Sequence, residues 1–363
     1  MKNNMALGLM SGTSADGLTI SAVRLSPFCV VCFKNYTYPL SLQKEILSAA
    51  KLSAVQISAL HFKLGKLYAQ LTKKFLKEFN LSPKKINVIG SHGQTVFHGP
   101  NAKIPHTFQI GESAFLSAQL GIPVVSDFRV KDMALGGQGA PLIPFFDEYI
   151  WGKGKAKILL NIGGISNISI VGKNIKTYGF DVGAGNSLLD IACQKYFKKP
   201  FDKDGKIAAK GSPDKDRVYA LLQHKFFRQQ PPKSLDKNEL GEDYLTRFFP
   251  KKDFKKTEDL IATLTFFTAA AIAEAVLNFV PKKYRTEIIV AGGGAFNATL
   301  MGMLCDLLPD VKIVSSSLYG IHPQAKESAA FALFAALALA GKKNHCPKAT
   351  GAKKAAILGK ISL

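Results

Sequence analysis

The sequence predicts an α/β fold in two domains. Three observations carry this: a length of 363 residues, a hairpin pattern that occurs twice with a small-residue loop in each copy, and apolar runs that end in polar or glycine-rich segments. Domains centre on roughly 150 residues, so the length favours two units over one. Open α/β sheets bind ligands where strands run out, which is where the polar segments of this chain cluster.

The elements follow in order. Met5 to Ser11 and Leu18 to Leu25 are β-favouring runs around the loop Gly12 to Gly17, a first hairpin. Ile57, Leu60, Leu64, Leu67, Leu71 and Phe75 recur at helical spacing, with Asn80 and Pro83 marking the end. Ile86 to Ile89 is a strand expected to run out at Ser91-His92-Gly93-Gln94-Thr95, and Pro123 to Ser126 is one expected to end at Asp127. Lys157 to Ile162 and Asn167 to Val171 form the second hairpin around Gly163-Gly164-Ile165-Ser166, which suggests an internal duplication. Tyr178 to Val182 is a further strand, and Phe201 to Glu242 is expected to hold loops and short helices. Leu260 to Phe279 is an Ala-rich helix with Thr257 as its expected N-cap. Glu287 to Val290 is a strand entering Gly292-Gly293-Gly294; a helix from about Asn297, a strand at Val311 to Val314 and a helix from about Gln324 to Leu339 complete the pattern. The expected division is 1–126 and 127–363, with the last helices able to pack back on the first domain.

Composition narrows the function classes. A chain with 47% hydrophobic, 10% aromatic and 20% charged residues is globular, which excludes disorder and collagen. Five cysteines, and no charged-then-apolar leader before Leu9, point to a cytoplasmic protein without a disulfide framework. The apolar run Ala329 to Ala340 is shorter than the ~20 residues of a membrane span, so no membrane is expected. The net charge of +22 is carried almost wholly by lysines spread in pairs, with Arg24, Arg129, Arg217, Arg228, Arg247 and Arg285 as the arginines. Base and phosphate readers prefer arginine, so a solvated basic surface is favoured and no nucleic-acid partner is expected.

Several segments can carry chemistry. In Ser11-Gly12-Thr13-Ser14-Ala15-Asp16-Gly17 the glycines admit a phosphate to the backbone, the hydroxyls donate, and Asp16 can orient a metal-bound water. It is not a Walker A loop, because no Gly-Lys-Ser/Thr follows, and an ordinary polar turn is the competing account. Gly292 to Gly294 allows a flat ring or phosphate to lie on the backbone, or equally a tight strand–helix packing. Asp181 stands at an expected strand end beside Gly183-Ala184-Gly185-Asn186, placed for a general base or for an Asx turn. Arg129 is a candidate fork for a substrate carboxylate, against an ion pair with Asp132. His92, His98 and His106 lack zinc-site spacing, and Cys29 and Cys32 in an apolar run suit a buried strand better than a metal or redox motif.

Together these motifs resemble the anhydro-N-acetylmuramic acid kinase family. The resemblance rests on Gly8 to Ser14 with Asp16-Gly17, Ser91 to Val96, Gln109-Ile110-Gly111, Asp127-Phe128-Arg129, Gly136 to Pro141, Asn161 to Ile168, Gly179-Phe180-Asp181, and Gly292 to Gly294 with Asn297. It implies the sugar kinase, heat-shock and actin superfamily, with two ribonuclease-H-like domains and ATP in the cleft between them. It further implies that 1,6-anhydro-N-acetylmuramic acid from recycled cell wall is opened by water and phosphorylated on O6, with Mg²⁺ screening the phosphates through waters. By the same resemblance Gly12, Thr13, Ser14, Ala15, Asp16, Gly17, Leu18 and Thr19 bind the ATP phosphates. Gly163 and Gly164 lie in the second phosphate-facing hairpin, and Gly292, Gly293 and Gly294 lie beside the adenosine. Asp181 falls on the catalytic aspartate, Arg129 on the holder of the lactyl carboxylate, and Glu327 on an acid near the sugar.

The sequence departs from the family at Ala15, Thr19, Asp147, Val182 and Ala184, and in Leu235-Asp236-Lys237-Asn238 after the matching Pro231-Pro232-Lys233-Ser234. A kinase of the same fold for another amino sugar and a noncatalytic ATP-switched binding protein are the alternatives. The oligomeric state is open, a homodimer included.

Overall fold

The computed structural model describes residues 4–231, 233, 235 and 240–363. The expected difference from the family in 236–238 lies outside the described residues. Two compact units emerge, Met1–Phe146 with Gln324–Leu363, and Asp147–Pro323. The first therefore takes in 127–146 and 324–363, beyond the division expected after Ser126. The physical reason is apolar and polar packing: Phe128 meets Phe331 and Phe334 at ring-centroid distances of 5.3 and 6.2 Å.

In the first unit β1 (Met5–Ser11), β2 (Gly17–Leu25), β3 (Phe28–Thr37), β4 (Ile86–Gly99), β5 (His106–Ile110) and β6 (Val124–Ser126) build one sheet. β1, β2 and β3 pair antiparallel, while β4 adds parallel to β1 and β6 parallel to β4. β5 returns antiparallel on β4, and the C-terminal strand Lys360–Ser362 closes the other edge beside β6. Ser91 to Thr95 therefore continues β4 rather than ending it, because pairing with β5 carries the strand to Gly99. Cys29 and Cys32 sit on β3, half-buried free thiols, and burial pushes Cys32 up to about 11.

The helix Ala54–Glu78 begins with a capping box in which Ser53 and Gln56 each satisfy the other's backbone N–H. Its apolar stripe buries Leu60, Leu64, Tyr68 and Phe75. The helix Lys326–Leu339 lies on β1 and β4 so closely that a Cβ at Gly8 would stand 1.8 Å from the Ser328 carbonyl oxygen, and one at Gly90 2.0 Å from that of Phe331. This approach places Glu327, in the first turn of that helix, within the first unit.

The second unit repeats the strand order. β7 (Lys157–Ile162), β8 (Ile165–Val171) and β9 (Tyr178–Ala184) pair antiparallel, and β10 (Glu287–Ala291) and β11 (Lys312–Ser315) add in parallel beyond β7. Each unit thus has three antiparallel strands followed by parallel additions next to the first of them. The duplicated hairpins are the visible part of this repeated topology. The helix Thr257–Phe279 packs in the core of this unit, with Leu260, Leu264, Phe267, Ile272 and Val276 buried. It is long and apolar enough to cross a membrane by length and composition, yet 89% of its apolar window is buried here. Thr257 is its first residue rather than its cap. Lys256 holds the cap position, and its N–H is accepted by Asp259 at 3.2 Å.

A buried polar cluster ties the C-terminal segment into the first unit. Asp132 Oδ1 accepts from Thr350 Oγ1 at 2.7 Å and Oδ2 accepts from the Gly139 N–H at 2.8 Å. The Ala356 N–H donates to His345 Nε2 at 2.8 Å, so the imidazole proton sits on Nδ1 and donates to Asp132 Oδ1 at 2.9 Å. Burial raises the Asp132 carboxyl, but these donors outweigh it and hold it below the usual carboxylate range. Its stabilisation is therefore present above about pH 4 and lost as pH falls through the lowered value. Asp132→Asn, which sets an amide against donors, is expected to lower the unfolding free energy by about 2–4 kcal/mol in urea denaturation at pH 7. A loss below about 0.5 kcal/mol would contradict this role.

Candidate functional site

The first-unit loop is shaped from beneath. Ser11 Oγ donates to Gln94 Oε1 at 2.6 Å, and Gln94 Nε2 in turn donates to the Gly12 carbonyl at 3.1 Å. Tyr38 OH donates to Ser11 Oγ at 3.1 Å, and Gln43 Nε2 to the Ser14 carbonyl at 3.1 Å. Ala15 turns the chain with φ 51°, its N–H bonded to the Gly12 carbonyl at 3.1 Å, and its side chain is buried. Thr13, Ser14 and Asp16 are exposed, and Ser14 Oγ donates to Asp16 Oδ1 at 3.0 Å. The expected phosphate loop is thus the turn 12–16. Gly17, Leu18 and Thr19 already belong to β2, and the Leu18 side chain is in the core.

Arg129 stands on the short helix Phe128–Ala134. Its Nε–H donates to His92 Nε2 at 3.0 Å and Nη1 donates to the Gly139 carbonyl at 2.7 Å. His92 therefore carries its proton on Nδ1, which donates to the Gly93 carbonyl at 2.9 Å. Burial, with the Arg129 charge beside it, drives the His92 imidazole down to about 3, so it stays neutral and serves as an acceptor. Burial also lowers Arg129 to about 10, opposed by the negative fields of Glu327 and Asp132. Burial raises Glu327, opposed by Lys326 and Arg129. Arg129 and Glu327 thus share one electrostatic neighbourhood in the first unit, while Asp132 bonds to His345, Thr350 and Gly139 instead of pairing with Arg129. A cavity of about 480 Å³ in this unit is lined by Ser91, His92, Gln109, Glu112, Asp127 and Lys360 among others. Neither Arg129, Glu327 nor the 12–16 turn lines it.

In the second unit three glycine segments converge. The Asn186 N–H donates to the Gly163 carbonyl at 2.8 Å, and the Gly185 and Ser187 N–H groups donate to the Gly164 carbonyl at 2.9 and 3.2 Å. A Cβ at Gly185 would meet the Gly163 carbonyl oxygen at 2.2 Å, and one at Gly294 would meet Ile162 Cγ2 at 2.2 Å. Gly292, at φ 84°, would drive a Cβ to 2.5 Å from the Ile162 carbonyl oxygen. Gly163, Gly164, Gly292, Gly293 and Gly294 are therefore brought to one place, and the run 293–296 is a single 3₁₀ turn before the helix Ala298–Leu307. Asn297 caps that helix, its side chain accepting from the Leu300 N–H at 2.9 Å. Sequence reasoning missed Gly185 and Asn186 as members of this cluster. Their signal was the turn after Asp181, read as a neighbour of the acid rather than as a contact of the first glycine pair.

Asp181 lies inside β9, opposite Asn167, not at its end, because β9 continues to pair with β8 as far as Ala184. The register irregularity between Ser166 and Asn167 falls beside it. Among the described residues its carboxylate accepts one backbone donor, the Leu235 N–H to Oδ2 at 3.0 Å. Burial pushes its carboxyl up to about 6, opposed by that hydrogen bond. A carboxylate in this state is a base matched to neutral pH. No group of three or more His, Cys, Asp or Glu side chains placed to hold a metal occurs among the described residues.

The sequence profile of the anhydro-N-acetylmuramic acid kinase family matches residues 4–363. An anhydro-N-acetylmuramic acid kinase of Caldanaerobacter subterraneus subsp. tengcongensis is 36% identical over 386 residues, covering 100% of this chain and 98% of that protein. Those of Bacillus cereus and Sulfurimonas denitrificans are 36% and 38% identical, each covering 98% of both chains. Among solved structures, a ROK family glucokinase from Streptomyces griseus is similar at 12% identity and TM-score 0.42, covering 92% of this chain and 99% of that one, too distant to carry a conclusion. With a profile match over nearly the whole length and full-length relatives at more than a third identity, this chain belongs to the anhydro-N-acetylmuramic acid kinase family.

Proposed function

We propose that this chain is an ATP-dependent kinase that opens the 1,6-anhydro ring of 1,6-anhydro-N-acetylmuramic acid and phosphorylates O6, acting in the cytoplasm in cell-wall recycling. Family membership supports the substrate. The observation that carries the chemistry is Asp181, a carboxylate raised to about 6 by burial and fixed by one backbone donor.

Asp181 takes the proton of a water whose oxygen attacks C1. The C1–O6 bond breaks, and O6 bonds to the γ-phosphorus as the link to the departing ADP breaks. The proton on Asp181 then passes to solvent. One base serves both bond changes, and the product is N-acetylmuramic acid 6-phosphate with ADP. Arg129, oriented by His92 and Gly139, is suited to a sugar carboxylate, since not all of its donors are engaged by these two. Glu327, in its field, is suited to a sugar hydroxyl.

The glycine segments suit ATP for a steric reason. At Gly163, Gly164 and Gly293 a Cβ would meet nothing closer than 3.6 Å, so glycine there is not required by packing and leaves backbone open to a ligand. The turn 12–16 of the first unit carries the hydroxyls of Thr13 and Ser14, which are likewise suited to donate to phosphate. Mg²⁺ bound with ATP would neutralise phosphate charge, and exposed Asp16 is the carboxylate suited to hold it, largely through water.

Asp181→Asn is expected to lower kcat by about 10²–10⁴-fold in a coupled ADP assay with the anhydro sugar. An unaffected variant would remove Asp181 from the chemistry. Because the base must be ionised, kcat/KM should rise with pH through about 6 and level off above it; a rate flat between pH 5 and 7 would contradict the assignment. The raised acid also costs stability. Its contribution is favourable below the unfolded value near 3.8 and lost as pH rises through about 6. Asp181→Asn should therefore stabilise the protein at pH 8 by about 1–2 kcal/mol, and a lower Tm at pH 8 would count against it.

A further inference from the structure

We propose that Lys233 is a positioning residue that tethers the backbone at Lys233 and Leu235 beside the outer edge of β9 and so fixes the Asp181 carboxylate; this rests on the role proposed for Asp181. β9 is the edge strand of its sheet, and its outer groups need partners other than a further strand. The Asp181 N–H donates to the Lys233 carbonyl at 3.0 Å, and the Leu235 N–H donates back to Asp181 Oδ2 at 3.0 Å. The two bonds clasp Asp181 between residues that belong to no helix or strand.

What holds that segment is the Lys233 side chain. It is 7% exposed, and its Nζ donates to the carbonyls of Phe226 and Phe227 at 3.0 and 3.3 Å. The ammonium also lies over the rings of Phe279, Phe226 and Phe180, at 4.4, 4.8 and 5.8 Å from their centroids. Phe180 precedes Asp181 in β9, so the cage and the acid share one strand. Burying an amine is costly, and here burial lowers it to about 8. An apolar side chain would fill the cage without that cost, but it could not reach both carbonyls. The ammonium is turned to these carbonyls, and Asn167, opposite Asp181 on β8, carries no charge. Lys233 thus acts on the acid through the backbone it anchors, and the Leu235 N–H is the influence that opposes burial there.

The test uses the full chain with ¹³C-labelled aspartate and follows the Asp181 carboxyl carbon by NMR titration without substrate, alongside turnover. Lys233→Met keeps length and apolar volume but loses the donors. Its Asp181 midpoint should rise by about one pH unit, and kcat at pH 6 should fall about fivefold with the KM for ATP unchanged. Lys233→Arg should restore part of both, and Leu235→Pro, which removes the N–H while leaving Lys233, should reproduce the midpoint shift even if Lys233→Met does not fold. A midpoint unmoved in the folded variants overturns the tether while the kinase reading stands. A shifted midpoint in a protein whose wild type does not turn over the anhydro sugar upholds the tether and removes the kinase reading.

Discussion

The interaction on which the rest depends is the hydrogen bond from the Leu235 N–H to the half-buried Asp181 carboxylate. Burial alone would drive a carboxyl toward permanent protonation, and full solvation would leave it a weak base near pH 4. The Leu235 donor against burial holds it near 6, between these limits. The strand, the edge position and the segment that supplies the donor are the structural means to that balance.

The second physical theme is backbone approach. In the first unit Gly8 and Gly90 let the helix Lys326–Leu339 seat directly on the sheet, which fixes where Glu327 begins that helix. In the second unit Gly185, Gly292 and Gly294 let three chain segments close on one another. These glycines are structural by necessity. Gly163, Gly164 and Gly293 are not, since added Cβ atoms there would meet no close neighbour, and that difference separates glycines that packing requires from glycines that it does not. Polar orientation follows the same economy: His92, held neutral by burial, aims Arg129, and the Asp132 cluster secures the segment beyond the helix Lys326–Leu339.

Much of this was legible in the sequence because its signals are local. Small-residue loops between β-favouring runs marked both hairpins, and their repetition pointed to the repeated strand order. Asp181 stood out as a lone carboxylate beside a glycine turn, and Arg129 as an arginine after a strand in a chain with few arginines. What was not legible depends on pairing between distant segments. β4 extends past Ser91 because β5 pairs with it, and β9 extends past Asp181 because β8 does, so both strand ends were placed too early. Asn186 looked like any turn residue until Gly163 and Gly164 were brought against it. Lys233 stood in a segment that matches the family, but its hold on the Phe226 and Phe227 carbonyls and its place against the rings of Phe180, Phe226 and Phe279 appear only in the fold.

The measurement that tests the central claim most directly is turnover in ¹⁸O-water, with the product analysed by mass spectrometry. Attack by water puts one solvent oxygen on C1 of the sugar phosphate and none in the bridge between O6 and phosphorus. A product without label at C1 would mean that water is not the nucleophile and that Asp181 has no proton to take.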